Sequence, residues 1–290
     1  MSPYFTPLRY PGGKGKLAGY IKEVITANKL LDGHYVEPFA GGAGVAIELL
    51  LQDYVSHAHI NDIDRSIYAF WYCVLEKTDA FCDLVEMTPV TIDEWLIQRT
   101  IQKLSIEYDI LALGFSTFFL NRCNRSGIVK GGVIGGINQN GKWKLDARYN
   151  RSDLLRRIQQ IARFKSRITI HNRDAADFLN LTIPRAPDNT LVYLDPPYYV
   201  KGEGLYANHF TPSDHAKLAT SVANGLAGSK WIVSYDNVPE IVSMYNRFQG
   251  FVYGLSYSAH KRQIGSEVMF FSDSIYVPPV PKTVPIYTAQ

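Results

Sequence analysis

Four residues in the run NTLVYLDPPYY, residues 189–199, have the types and spacing to do chemistry together: Asp195, Pro196, Pro197 and Tyr198. They follow a stretch that reads as a buried strand, and ligands of open α/β sheets collect at the carboxyl ends of strands. The Asp195 carboxylate is an acceptor, and Pro196 offers a carbonyl without a competing amide hydrogen. The two prolines stiffen the turn, and Tyr198 supplies a flat face. Two acceptors beside a ring suit an exocyclic amino group on a planar base. A DPP turn alone is a common way to leave a strand; the buried run before it and the tyrosines after it make this one a candidate site.

A second constellation lies near the amino terminus. In HYVEPFAGGAGVAIELLLQD, residues 35–39 read as a short buried strand, 41–44 as a tight turn and 45–51 as the opening of a helix. HAHINDID then reads as a strand that ends in acids at Asp62 and Asp64. Strand, glycine turn, helix and acid-ended strand form the front half of a doubly wound nucleotide-binding sheet. EPFAGGAG departs from G-x-G-x-x-G, and no second phosphate device follows. The turn therefore suits an amino-acid portion of a ligand and Asp62 the hydroxyls of a ribose, which together describe a nucleoside without a pyrophosphate. The segment YPGGKGKLAGYI, residues 10–21, looks like a phosphate cradle. A Walker loop, however, would need a glycine where Tyr10 stands and a hydroxyl where Leu17 stands.

These pieces must be held by a chain of 290 residues, 46% apolar, which is long enough for one large domain or one domain with an insertion. No run approaches the roughly 20 apolar residues of a membrane span, and no amino-terminal segment has signal-peptide form, so a soluble, cytoplasmic protein is expected. Cys73, Cys82 and Cys123 are odd in number and lack CxxC spacing, and the histidines form no HExxH or H-x-E pattern. No metal is expected.

The net charge is +3, unevenly spread. Residues 121–173 carry thirteen basic side chains against Asp146 and Asp153, a local excess of +11 that leaves the rest at −8. Such a segment is the footprint of a polyanion partner. Its first part, NRCNRSGIVKGGVIGGINQNGKWKLDARYN, is glycine-dense and irregular, with a short hairpin expected around Asn140 and Gly141. Residues 17–30 and about 65–120 read as helical, with Trp71 and Trp95 as core. Strands are expected at 168–171 and in TLVYLD, KWIVSYD and EVMFFS, and the proline-rich tail is expected to lie extended on the surface.

LRYPGGK, VEPFAGGAG, NDID, DPPYY and WIVSYDN occur in the order seen in the DNA adenine N6-methyltransferases of the Dam type, and over nearly the whole chain the sequence resembles that family. The resemblance implies a Rossmann-like α/β sheet that binds S-adenosylmethionine, with an inserted helical target-recognition domain. Residues 1–64 and 165–290 would form the discontinuous catalytic domain and 65–164 the insertion. It implies that Tyr10 and Lys14 pack over the cofactor, that Glu37, Pro38, Phe39, Gly41 and Gly44 line its methionine moiety, that Asp62 binds its ribose, and that Asp195 touches both cofactor and target amine. The implied reaction is direct methyl transfer to N6 of an adenine flipped out of double-stranded DNA, with Tyr198 stacking on the base. Arg122, Arg125, Lys130, Lys142 and Lys144 would contact DNA. A cognate restriction endonuclease is a further implied partner. NRCNRSGIVKGG departs from the NRYGYNG-like stretch of GATC-reading members, so the recognised bases stay open. Alternatives are another amino methyltransferase, acting on cytosine N4, RNA adenine or protein glutamine, and a non-catalytic DNA-binding relative.

Overall fold

The computed structural model describes residues 5–9, 17–200, 210–259, 261–280 and 287–288. Five strands are parallel: β1 (Gly33–Glu37), β2 (Val55–Asn61), β3 (Ile168–His171), β4 (Leu191–Leu194) and, on the other side of β4, β5 (Lys230–Asp236). A long antiparallel hairpin of β6 (Gly250–Ala259) and β7 (Lys261–Phe271) adds to β5, and β8 (Tyr287–Thr288) closes on β6. The order is β3-β2-β1-β4-β5-β7-β6-β8, so the winding reverses between β1 and β4. That switch point is where an open α/β sheet leaves a crevice for ligand.

Side-chain alternation explains why the strands are continuous apolar runs. Tyr35, Leu191, Tyr193 and Ile232 enter one buried cluster, while their neighbours Val36, Val192, Leu194, Trp231 and Val233 enter another. Both faces are therefore covered, as a parallel sheet requires. The first cluster also takes in α1 (Ala18–Ala27), α2 (Gly44–Leu51) and α3 (Arg65–Glu76), and α4 (Thr78–Met87), α5 (Ile92–Lys103), α6 (Ile110–Cys123) and α7 (Arg151–Ala162) join it by packing on α3 and on one another. The second carries α8 (Ala175–Thr182), α9 (Pro212–Gly225) and α10 (Pro239–Met244).

The helices between β2 and β3 are held by aromatic packing and close backbone approach. Phe70 stacks on Phe118 at 6.2 Å between centroids, and Phe81 meets both rings edge-on. Gly114 lets α6 lie against α3, since a Cβ there would come within 2.6 Å of the Ala69 carbonyl oxygen. Trp71 and Trp95 are core, as expected, yet each indole N–H has a partner: Gly41 O at 2.9 Å and Asn124 Oδ1 at 2.7 Å. Phe70, Phe118 and Ile158 belong to the same cluster as Tyr35 and Tyr193.

Two local expectations are corrected. No hairpin forms around Asn140 and Gly141; the loop closes instead through a bridge between Asn124 and Val133, and the Gln139 side chain takes up the local main-chain groups of Ile134, Gly136 and Leu145. The start of the tail is not a surface strand. Pro278 is buried with its carbonyl accepting from the Tyr20 hydroxyl at 3.0 Å, and Val277 and Val280 pack on the core.

Three histidine rings crowd the second face of β1 and β2. His34, His57 and His59 have centroids 4.6–5.2 Å apart, and His59 Nε2 lies 3.0 Å from His34 Nδ1. Burial first, and then the neighbouring rings, pull His59 down to about 3, and His34 and His57 are lowered by burial as well. In the unfolded chain a histidine takes its proton near pH 6.5. The stability these neutral rings contribute is therefore complete above pH 6.5 and drains away as the pH falls toward 3. The melting temperature is expected to drop between pH 7 and pH 5, and thermal unfolding of His59→Gln should show a shallower drop. An equally steep fall in the variant would assign the acid sensitivity to other groups.

Candidate active site

At the switch point two carboxyl groups stand on adjacent strand ends. Glu37 closes β1 and is 5% exposed. Its Oε2 is buried without a hydrogen-bond partner, and α2, which follows it in the chain, has no side-chain cap of its own. Burial, and then the neighbouring Asp195, hold the Glu37 carboxyl well above the usual range. Asp195 follows β4 and is half-buried. Its Oδ1 accepts from Ser234 Oγ at 2.9 Å, and Ser234 Oγ lies 2.8 Å from the Tyr193 hydroxyl. A serine has one hydroxyl hydrogen to give, so the chain of donation runs Tyr193 to Ser234 to Asp195.

The glycine turn between β1 and α2 is tied from three sides. Gly41 (φ 47°) and Ala43 (φ 45°) both take left-handed backbone, the second at the steric cost of a Cβ. The Gly41 carbonyl accepts from Trp71, the Gly42 carbonyl from Thr6 Oγ1 at 2.6 Å, and the Gly41 amide donates to Asp62 Oδ2 at 2.9 Å. Asp62 Oδ1 accepts the Asp64 amide at 2.9 Å. Burial raises Asp62 to about 7, against the opposing pull of these two amides. A small crevice lined by Ala40, Asp62, Tyr68, Trp71 and His171 opens beside it. Pro38 is buried, with its carbonyl accepting from Asn61 Nδ2 at 3.0 Å, and Phe39 packs edge-on against Phe210 at 5.8 Å. Gly44 begins α2.

After Asp195 the turn is rigid: Pro196 is buried, Pro197 half-buried and Tyr198 only 7% exposed. The Tyr198 ring is packed into the protein, with its hydroxyl donating to Glu267 Oε1 at 2.5 Å.

The structure separates the basic candidates. Arg125, Lys130, Lys142 and Lys144 are exposed on the loop after α6, where Lys142 Nζ lies 5.8 Å over the exposed Trp143 ring. Arg122 is half-buried instead, with Nε donating to Arg148 O at 2.7 Å and an Nη to Pro7 O at 3.3 Å. Burial, followed by Arg9 and Arg157, lowers it to about 10. The beginning of the basic segment is a socket for residues 5–9. Asn121 takes the Arg9 amide on Oδ1 and donates to the Arg9 carbonyl, both at 2.7 Å. Gly127 (φ +77°) approaches so closely that a Cβ would meet the Arg9 oxygen at 2.2 Å. Tyr10 and Lys14 lie outside the described residues.

Residues 10–263 match the model of a family described as D12 class N6 adenine-specific DNA methyltransferases. The chain belongs to that family. The target base and the DNA substrate read from the motifs are those in that family's description. No curated protein matches the chain. Among solved structures, a protein from Listeria monocytogenes described as a class I S-adenosylmethionine-dependent methyltransferase is similar at 13% identity and a TM-score of 0.38. The alignment covers 98% of this chain, which spans 66% of the Listeria protein. A protein from Legionella pneumophila is similar at 13% identity and a TM-score of 0.33, over 92% of this chain and 88% of that one.

The site of this D12-class chain fits S-adenosylmethionine on its own chemistry. Glu37 Oε2 is an acceptor without a protein partner, suited to an ammonium, and Asp62 keeps carboxylate lone pairs beyond the two amides it holds, suited to ribose hydroxyls. Among the described residues no cluster of three or more His, Cys, Asp or Glu side chains could hold a metal, and no helix is long and apolar enough to cross a membrane. The sequence reading missed Asn61, which is buried and joins Pro38 to Arg173 across the ends of β1 and β3, and it gave Ser234 and Asn121 no role. The sequence signals were the NDID context for Asn61, WIVSYDN for Ser234 and NRCNRSG for Asn121, none of which names a partner.

Proposed function

We propose that this chain transfers the methyl group of S-adenosylmethionine directly to N6 of an adenine turned out of duplex DNA. The observation that carries the reading is the placement of Asp195, oriented by Ser234, one strand away from the partnerless oxygen of Glu37 at the switch point. S-adenosylmethionine, when bound, supplies a methyl group on a positively charged sulfur. Glu37, Pro38, Phe39, Gly41 and Gly44 hold its amino-acid portion and Asp62 its ribose, with Tyr10 and Lys14 covering it.

The adenine amine is a poor nucleophile because its lone pair is delocalised into the ring. Asp195 and the Pro196 carbonyl accept its two hydrogens and favour the pyramidal form. They also stand where positive charge develops on nitrogen, a fixed electrostatic stabilisation. Ser234 keeps the Asp195 oxygen aimed without solvent reorganisation. Pro197 stiffens the turn, and the Tyr198 ring stacks on the everted base, offsetting part of the few kcal/mol that eversion costs. Residues 65–164 act as the target-recognition insertion on a catalytic body of 1–64 and 165–290. The enzyme works in the cytoplasm, with a cognate restriction endonuclease as its functional counterpart.

The test is incubation with labelled S-adenosylmethionine and a varied DNA pool, followed by digestion to nucleosides. Label in N6-methyladenine is expected. Label in N4-methylcytosine, or in RNA alone, would overturn the substrate, and DNA binding without label would indicate a non-catalytic relative.

Charge supports the DNA surface. Replacing Arg125, Lys130, Lys142 and Lys144 by glutamine should flatten the dependence of log K on log salt by about 0.9 for each phosphate left without its cation. Arg122→Gln should leave that slope unchanged and lower the melting temperature, because its guanidinium ties Arg148 and Pro7 together. Binding titrations across salt concentrations, with thermal unfolding alongside, decide both points.

A further inference from the structure

The turn that carries Asp195 has few donors with which to anchor itself, since Pro196 and Pro197 lack amide hydrogens. Its anchorage comes from the three residues after them. Tyr199 N donates to Asp236 Oδ1 at 2.9 Å and Val200 N to Asp236 Oδ2 at 3.1 Å. The Tyr198 hydroxyl donates to Glu267 Oε1, and Glu267 Oε2 accepts from the Tyr253 hydroxyl at 2.7 Å. Asp236 and Glu267 are directly opposed partners in the antiparallel pairing of β5 and β7, so their side chains leave the same face of the sheet. The Tyr199 ring is fixed as well, 4.9 Å from the His215 ring, whose Nδ1 lies 2.9 Å from the Tyr235 hydroxyl.

Glu267 is 1% exposed, and burying a carboxylate that deeply is costly unless hydrogen bonds replace its water. Two tyrosine hydroxyls, one from the turn and one from β6, meet that cost. Apolar side chains of the same shape would fill the space with no such penalty. What the carboxylate adds is direction: a bond along a fixed line to one atom of Tyr198.

We propose that Asp236 and Glu267 are positioning residues for methyl transfer, a cross-strand carboxylate pair that grips Tyr198, Tyr199 and Val200 and thereby fixes where Asp195 and Pro196 meet the target amine. The inference rests on the methyl-transfer reading above. Neither residue touches the reacting atoms. Asp236 sets the backbone path out of the turn, and Glu267 sets the tilt of the Tyr198 ring.

Full-length Asp236→Asn, Glu267→Gln and Tyr198→Phe are compared with the wild-type chain in single-turnover transfer at saturating S-adenosylmethionine and duplex DNA. Dissociation constants for each ligand and melting temperatures are measured in parallel. A displacement of about 1 Å costs on the order of 10²-fold in rate, and Asp236→Asn should approach that loss with both dissociation constants and the melting temperature unchanged. Glu267→Gln and Tyr198→Phe weaken the same bond, so the double variant should be no slower than the slower single one.

Wild-type rates in Asp236→Asn and Glu267→Gln would overturn the proposal, as would multiplied losses in the double variant or a rate loss matched by lost thermal stability. Should Glu267→Gln not fold, Tyr198→Phe, which removes one oxygen and keeps the ring, decides the Glu267 half alone. A wild-type chain that transfers no methyl group defeats the functional reading; an active wild type with equally active variants defeats only the positioning.

Discussion

Replacing Asp195 by asparagine is expected to slow methyl transfer by about 10²–10³-fold or more, with binding to duplex DNA at its wild-type strength. The substitution keeps the shape of the side chain and an oxygen for Ser234 Oγ, now 2.9 Å away, but removes the negative charge beside the amine. It also puts an N–H donor where the amine needs an acceptor. The DNA surface proposed for Arg125, Lys130, Lys142 and Lys144 belongs to the loop after α6 and shares no residue with this turn, so binding and chemistry should separate. Single-turnover rates and equilibrium titrations on the same protein check the separation. A fall in DNA affinity as large as the fall in rate would mean that Asp195 holds the turn together, not the reacting amine.

The second large effect concerns the donor. Asp62→Asn should weaken S-adenosylmethionine binding by about 10- to 150-fold, the equivalent of about 1.5–3 kcal/mol for hydrogen bonds to a charged group. The loss should depend on pH. Burial raises the Asp62 carboxyl to about 7 in the free protein, so below that pH it is mostly protonated and a poorer acceptor for ribose hydroxyls. Because the ligand favours the charged form, binding releases a proton. Affinity is therefore expected to rise as the pH climbs from 6 through 7 and to level off above. Glu37, raised for the same reason, adds a dependence of the same sign. Calorimetric titrations at several pH values should show a shallower profile in Asp62→Asn, since the titration of Glu37 and of the ligand is common to both proteins. Parallel profiles would place the ribose elsewhere.

Much of this site was legible because its pieces are local. The buried run before Asp195, the glycine turn after Glu37 and the acids closing NDID each declare themselves within a few residues, since strand alternation, left-handed backbone and strand-end polarity are properties of short windows. The basic segment showed how far such reading reaches. Its charge marked a polyanion partner, yet a count of charges could not tell the exposed Arg125 from Arg122, whose guanidinium is spent on two main-chain oxygens.

By itself, then, the chain's sequence determined the strands from β1 to β5 and β7 and the acids that close them, while the long strand β6 carried no such local signal. Alternating burial and turn chemistry act over distances of two to four residues. The tertiary structure alone decided who orients whom. Ser234 lies 39 positions from Asp195, Glu267 69 positions from Tyr198 and Asn121 112 positions from Arg9. Such partners meet only through the order and register of the sheet and the packing of α6 beneath it. A hydrogen bond depends on separations of tenths of an ångström, and those distances are set by every residue that spaces the strands apart, not by the two residues that form the bond.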